Sequence, residues 1–273
     1  MLKTTDIKVF DVDKVFELNE DMKITMNYIG DDKLPLIIID DFYKNPHLVR
    51  ELLISSPVPK KTSSSQSGYP GLRVNLDSFI TSESFMQGYS DILKFYFGFD
   101  RDLMVDKEQF VGNVFDGSGP AHKLNNQTPH IDPSAIASIV YLNTDDEEVG
   151  GTSVYKHRES NISFFPASEY HFEWWCSHVS KLKERDLDTV IKEEQERFSR
   201  YEKTLFKPSD TSKNMHILQS NDEWEILATV EAKFNRLAGY IGGTLHSAMI
   251  DFEELAKKPY KRINQVLFME FAR

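Results

Sequence analysis

His130-Ile131-Asp132 places an imidazole and a carboxylate two residues apart, just ahead of a run, ASIVYLN, that alternates like a strand. Side chains at i and i+2 of a strand point to one face, so His130 and Asp132 can offer a nitrogen and an oxygen to the same ion. A non-haem Fe(II) site also needs a second histidine from another strand and open positions opposite its three protein ligands. His246 meets that need. It lies in NRLAGYIGGTLHSA, where a predicted strand meets a Gly-Gly turn, and Ser247-Ala248 beside it are small enough to let a ligand approach. Arg262 follows at the head of the last predicted strand, RINQVLFMEF. A buried guanidinium can grip a carboxylate through two parallel charge-assisted hydrogen bonds. The rival role for Arg262 is a structural ion pair with Asp251, Glu253 or Glu254.

Other histidines compete for the metal role. His171-x-Glu173 has the same spacing and His178 is close by, but Phe172, Trp174 and Trp175 surround them and the segment leads into a helix, so an aromatic plug or substrate-facing wall is expected. His47 reads as a helix-start residue, and His122, His157 and His216 as loop residues. Asp145-Asp146-Glu147-Glu148 lacks the alternating spacing of a calcium loop and reads as a solvated turn.

The elements that must position these groups are legible as periodicities. Leu36 to Ile39 reads as a buried strand leading into a helix that starts near Asn45-Pro46, with Pro at the first helical position. A serine-rich surface loop, TSSSQSGYPGLR, follows, and then Ser82 to Phe97 with Phe85, Tyr89, Ile92, Leu93 and Tyr96 at helical spacing. From Gln109 the pattern changes to short strands: QFVGNVFDG, ASIVYLN, GTSVYKH, NRLAGYIGG and RINQVLFMEFA, which suggest an antiparallel sandwich or barrel. Helices first and strands later predict an α+β chain, mainly β with helical support. Residues 158 to 225 read as a helical insertion. In it Leu187, Val190, Ile191, Phe198, Tyr201 and Leu205 form one apolar face, and the pairs Glu193–Arg197 and Glu196–Arg200 lie on the wet face. No repeat or low-complexity linker divides the chain, so one domain is expected: residues 34–108 as strand and support helices, 109–157 and 226–273 as β core, 158–225 as insertion.

Composition narrows the function. The 273 residues are 40% hydrophobic and 27% charged, ordinary for a soluble globular protein, and neither a secretory start nor a membrane span is evident, so a cytoplasmic location is expected. The single cysteine, Cys176, allows neither an internal disulfide nor a cysteine zinc cage, so any metal must be held by nitrogen and oxygen. Asn126-Gln127-Thr128 and Asn161-Ile162-Ser163 are chance glycosylation triplets in that setting. A formal charge of -11 without a basic stripe argues against nucleic acid as a partner. A small-molecule or peptide substrate fits better.

Taken together, His130-x-Asp132, His246 and Arg262 resemble the His-x-Asp/Glu, distal His and Arg/Lys pattern of the Fe(II)- and 2-oxoglutarate-dependent dioxygenases. YLNTDDEEVGGTSVY resembles the corresponding stretch of their prolyl-hydroxylase-like branch; IIIDDFYKNPHLVRELL, YPGLR and FNRLAGYIGGTLHSA look like a small branch of the superfamily. The likeness spans most of residues 34–60 and 109–273 and leaves out the insertion. It implies a double-stranded β-helix, a jelly-roll or cupin-like core. It also implies Fe(II) on His130, Asp132 and His246, 2-oxoglutarate chelating the iron with its far carboxylate on Arg262, and O2 as oxidant. The expected reaction is hydroxylation of a C–H bond in an amino acid, a peptide or protein side chain or a small metabolite, with succinate and CO2 as coproducts. Where the family often has Arg-x-Ser, this chain has Arg262-Ile263-Asn264, so Asn264 would donate an amide hydrogen bond in place of a hydroxyl. Tyr141 and Tyr155 are candidate pocket hydroxyls. Two other readings stay open: a metal-dependent hydrolase or isomerase on a cupin-like barrel, and a catalytically silent binding module.

Overall fold

The computed structural model describes residues 11–55, 72–76, 83–105, 110–115, 128–206 and 217–272. The serine-rich loop up to residue 71, His122 and His216 lie outside them.

The last strand, β11 (Arg262–Phe271), organises the larger sheet. It pairs antiparallel with β6 (Ile136–Tyr141) on one side and β5 (Val111–Phe115) on the other, and its far end also meets β4 (Leu103–Val105). Outward from β6 come β9 (Arg236–Ile241), β2 (Leu34–Asp40) and β1 (Lys23–Ile29), and outward from β5 comes β3 (Leu72–Asn75). A second antiparallel sheet has the order β10-β7-β8, from His246–Met249, Gly151–His157 and Trp224–Val230. The chain is therefore mainly β, mixed α+β, with antiparallel sheets, as its patterning predicts.

Two-residue alternation sorts the faces of the large sheet. Ile263, Leu267 and Met269 of β11 join Ile37, Ile39, Val140 and Leu237 in the main core, together with Val49, Leu52 and Leu53 of α2 (Pro46–Ser55) and Phe85, Tyr89 and Leu93 of α3 (Glu83–Phe97). Arg262, Asn264, Val266 and Phe268 point the other way, into a cavity. Gly112 explains how closely α2 lies on β5: a Cβ there would stand 2.0 Å from Leu53 Cδ2. No helix among the described residues is long and apolar enough to cross a membrane.

The order of helices before strands does not hold. β1 and β2 form a seven-residue hairpin pair ahead of both support helices. β1 was illegible because it is an edge strand: Lys23, Thr25 and Tyr28 are exposed, and its Ile24, Met26 and Ile29 are only partly covered. The insertion's far bound, placed at 225, falls inside β8.

The insertion itself is two packed helices, α4 (Glu169–Leu182) and α5 (Leu187–Leu205). Ser168 and Asp186 cap them, accepting from the His171 and Thr189 backbone N–H groups. Val190 and Phe198 are buried as predicted, but Leu187, the first residue of α5, is exposed. The predicted Glu193–Arg197 pair is replaced: Glu193 takes Arg185 at 2.7 Å, while Arg197 turns to Glu194 at 3.3 Å and to the Asn161 carbonyl. Glu194 is buried because it also accepts from Trp175 Nε1 at 2.8 Å. Two other local expectations change. His157 is buried on β7, bonded to Ser160 Oγ at 2.8 Å and packed on Trp224. In the acidic turn, Glu147 points inward to Arg50 at 2.9 Å and to Asn143.

Trp175 lies flat on Phe164, centroids 4.9 Å apart, and is 1% exposed. Trp175→Ala should therefore cost about 3–5 kcal/mol of unfolding free energy, read as a lower urea midpoint, the scale for truncating a buried aromatic.

Candidate functional site

His130, Asp132 and His246 converge. One nitrogen or oxygen from each lies within 4.8 Å of the others. His130 and Asp132 do not stand on a regular strand. His130 forms a single antiparallel bridge with His246, its N–H donating to the His246 carbonyl at 2.9 Å and the reverse at 3.0 Å. Asp132 follows in a loop whose N–H donates to the Gly242 carbonyl at 2.8 Å. Gly242 has to be glycine, because a Cβ there would meet the carbonyl oxygens of Ser134 at 2.0 Å and Asp132 at 2.6 Å.

The two rings are oriented alike. His130 Nδ1 lies 2.9 Å from the Thr128 carbonyl oxygen, and His246 Nδ1 2.9 Å from that of Thr244. A carbonyl only accepts, so Nδ1 carries the proton in both and Nε2 is the ligand atom, an orientation common among metal-binding histidines. His246 Nε2 then faces Asp132 Oδ2 at 3.2 Å. A lone pair opposite a carboxylate is repulsive, so this contact calls for a proton or a metal ion between them. Burial, reinforced by the neighbouring His246 and opposed by Asp132, brings His130 down to about 4, which keeps it a neutral donor. Burial alone would raise the Asp132 carboxyl, but His246, His130 and Arg73 bring it below its ordinary value.

Facing the triad is a cavity of about 120 Å³, lined by residues of both sheets. Arg262 enters it from β11 at 1% exposure, and its Nε and Nη2 have no hydrogen-bond partner among the described residues. The rival ion pairs are not made: Asp251 caps α6 (Phe252–Ala256), and Glu254 binds Lys257. Asn264, two residues on and fully buried, accepts from Asn113 Nδ2 at 3.0 Å, and its own Nδ2 has no acceptor among the described residues. Buried donors left so cost about 1–3 kcal/mol each, more when charged. Together they point several N–H donors into one cavity.

Tyr141 stands opposite Asn264 across the β6–β11 register, and the positive charge of Arg262 is felt at its phenol. Its hydroxyl donates to Thr152 Oγ1 at 2.8 Å, and Thr152, rather than Tyr141, lines the cavity. Tyr155 is engaged elsewhere, donating to the Ile217 carbonyl. Among the lining residues that escaped the sequence reading are Arg73, Asn113, Thr152 and Tyr240. Tyr240 packs on His246 with ring centroids 4.5 Å apart. Its signal was its inward parity on β9, two residues from Ala238 and on the face opposite Ile241.

His171 and His178 are not ligands. His171 Nδ1 accepts from the Ala167 N–H, and its Nε2 donates to the Ser134 carbonyl at 2.9 Å; His178 Nε2 bonds the Asp32 carbonyl at 2.6 Å and stacks on Trp174. His47 stands at the start of α2 as predicted, its ring on Phe234.

No curated protein matches this sequence. The Family of unknown function (DUF6445) matches residues 20–173 and 179–261, most of the chain and all three triad residues, and the chain belongs to that family.

Proposed function

We propose that the protein is an Fe(II)- and 2-oxoglutarate-dependent oxygenase that hydroxylates a C–H bond, on a double-stranded β-helix core. The observation that carries the reading is the pairing of a His-Asp-His cluster with a buried Arg262 whose Nε and Nη2 have no partner among the described residues, in one cavity. A hydrolase or isomerase site has no need of that arginine.

The strand path supports the jelly-roll. From β5 in the large sheet the chain passes to the His130 bridge beside β10, returns to β6, crosses to β7 and β8, returns to β9, crosses to β10 and ends on β11. That alternation between two antiparallel sheets belongs to a double Greek key.

The donor set fits the proposed group. Two imidazoles and one carboxylate gathered on one side suit Fe(II) and leave the cavity side open. The charges of Asp132, Fe(II), the 2-oxoglutarate dianion and Arg262 cancel, as a buried site requires. Bound iron supplies the oxidation, in which 2-oxoglutarate and O2 give succinate and CO2.

The chain's residues position and shield. Arg262 grips the far carboxylate of 2-oxoglutarate, Asn264 Nδ2 adds a hydrogen bond, and the Tyr141–Thr152 hydroxyl pair flanks them. Ile250, Phe252, Val266 and Phe268 form an apolar wall that excludes water. Asp132 occupies the position that halogenases, by family resemblance, leave to halide, so its carboxylate favours hydroxylation.

Anaerobic titration of metal-free protein with Fe(II) and 2-oxoglutarate should give the weak visible charge-transfer band of a chelated keto acid. The band should vanish in His246→Ala and Asp132→Ala while both remain folded; wild-type protein that binds iron without a band would refute the reading. Arg262→Ala should weaken 2-oxoglutarate binding by about 2–5 kcal/mol, the scale for breaking a buried charge pair. Iron affinity should change far less, and equal losses in the two titrations would remove the assigned role. Gly242→Ala should lower iron affinity more than tenfold, because its Cβ displaces the Asp132–Ser134 loop; calorimetric titration with Fe(II) checks this.

A further inference from the structure

We propose that Asn113 is a positioning residue for cosubstrate binding: it occupies the acceptor end of the Asn264 amide, so that Asn264 meets the far carboxylate of 2-oxoglutarate with its N–H end. This rests on the oxygenase reading above. The two side chains meet by register. Asn113 of β5 is the Cα partner of Asn264 on β11, in-register residues share a face, and both line the cavity.

The need for such a partner follows from the residue type at 264. A serine hydroxyl is donor and acceptor at one atom, and it rotates to suit whatever approaches. An asparagine amide carries its donor and its acceptor on different atoms. Turning the wrong one toward an anion replaces a hydrogen bond by a repulsion. A cavity that receives a carboxylate at Arg262 therefore has to settle which end of Asn264 faces it. The neighbour on β6 does not do so, because Tyr141 gives its hydroxyl proton to Thr152 Oγ1 at 2.8 Å. The neighbour on β5 does: Asn113 Nδ2 donates to Asn264 Oδ1 at 3.0 Å.

Two amides joined by one hydrogen bond always end in one donor and one acceptor. Here the free ends are Asn264 Nδ2 and Asn113 Oδ1, in residues 0% and 1% exposed, and neither has a partner among the described residues. The donor end belongs to the residue two along from Arg262 on the same face of β11, and the acceptor end to the neighbouring strand. The reverse arrangement would present the Asn264 oxygen to the bound carboxylate. The anion thus selects the arrangement observed. Asn113 makes that arrangement possible without leaving the Asn264 oxygen buried and bare.

The test is a double-mutant cycle read as binding. The dissociation constant of 2-oxoglutarate is taken anaerobically from the charge-transfer band of Fe(II)-loaded protein, and independently from the thermal shift that 2-oxoglutarate gives to metal-free protein in chelator. Asn113→Leu nearly keeps the volume and removes the donor. It should weaken 2-oxoglutarate about tenfold in both readouts, while the Fe(II) affinity from calorimetry stays within about twofold. In an Asn264→Ser background, where the hydroxyl orients itself, the same substitution should cost less than about twofold. Asn113→Asp has the same shape and only acceptors, so it draws Asn264 Nδ2 to itself and turns Oδ1 onto the cosubstrate. It should lose more affinity in the wild-type background than in Asn264→Ser, and it decides the question if Asn113→Leu does not fold. Equal costs in the two backgrounds, or no cost with Asn264 in place, overturn the positioning role while the wild-type band leaves the oxygenase reading standing. If the wild-type band never forms, the oxygenase reading falls and takes the positioning role with it.

Discussion

The site depends on one short piece of backbone pairing. His130 and His246 exchange both of their N–H and C=O groups, and two residues on, Asp132 donates to Gly242. These bonds hold a loop and a strand end at a separation where three side chains meet, so the cluster is set by main chain before any ligand arrives. The tolerance is small. The carbonyl of Ser134 would lie only 2.0 Å from any Cβ at Gly242, and Gly243 is similarly enclosed by Phe164 and Phe165. A glycine pair lets the turn lie directly on the loop, and the Nδ1 contacts to carbonyls two residues earlier then leave each Nε2 facing inward. Pre-organisation of this kind reduces the entropy cost of collecting three ligands around an ion.

A second consequence concerns charge. A buried guanidinium with unpaired N–H groups is unfavourable unless something acidic comes to it, and a lone carboxylate between two imidazoles is unfavourable unless something cationic comes. Arg262 and the triad present these opposite needs across one cavity. A metal chelated by a dianionic ligand satisfies both at once, whereas a metal alone would leave Arg262 as it is. This is why Arg262, more than the triad, separates the oxygenase reading from other uses of a His-Asp-His cluster.

Much of this was legible in the sequence, for reasons that differ by element. The central strands β5, β6, β7, β9 and β11 carry dense apolar runs, and α3 and α5 carry clear helical periods, so burial wrote them into composition. His130, Asp132, His246 and Arg262 were found because metal and carboxylate chemistry restricts residue type, and the structure brings all four to one cavity. Arg73, Asn113 and Thr152 were not found, because nothing local marks a polar residue as inward-facing; their meaning comes from register between strands distant in sequence. β1 was missed because an edge strand buries too little to show a strong pattern, and β10 because its four residues were read as the turn and ligand they also are. Glu193 and Arg197 were mispaired because an i,i+4 rule for exposed helices does not foresee Trp175 drawing Glu194 inward to meet Arg197.

The helical insertion bears on the site as well. His171, in the first turn of α4, is fully buried with both ring nitrogens used: Nδ1 receives the Ala167 N–H, so Nε2 holds the proton that it gives to the Ser134 carbonyl. Burial lowers its pKa, keeping it in that neutral tautomer. The same loop is thus fastened from two sides, by the 241–244 turn through Asp132 and by α4 through Ser134. Trp175 locks α4 onto Phe164, and Phe164 forms a bridge with Thr244 in that very turn. The insertion therefore closes a ring of contacts around the loop that carries His130 and Asp132: α4 to Ser134, Ser134 to Gly242, Thr244 to Phe164, and Phe164 back to α4. A segment that reads as an appendage in sequence is in this fold part of the frame that sets where His130, Asp132 and His246 meet.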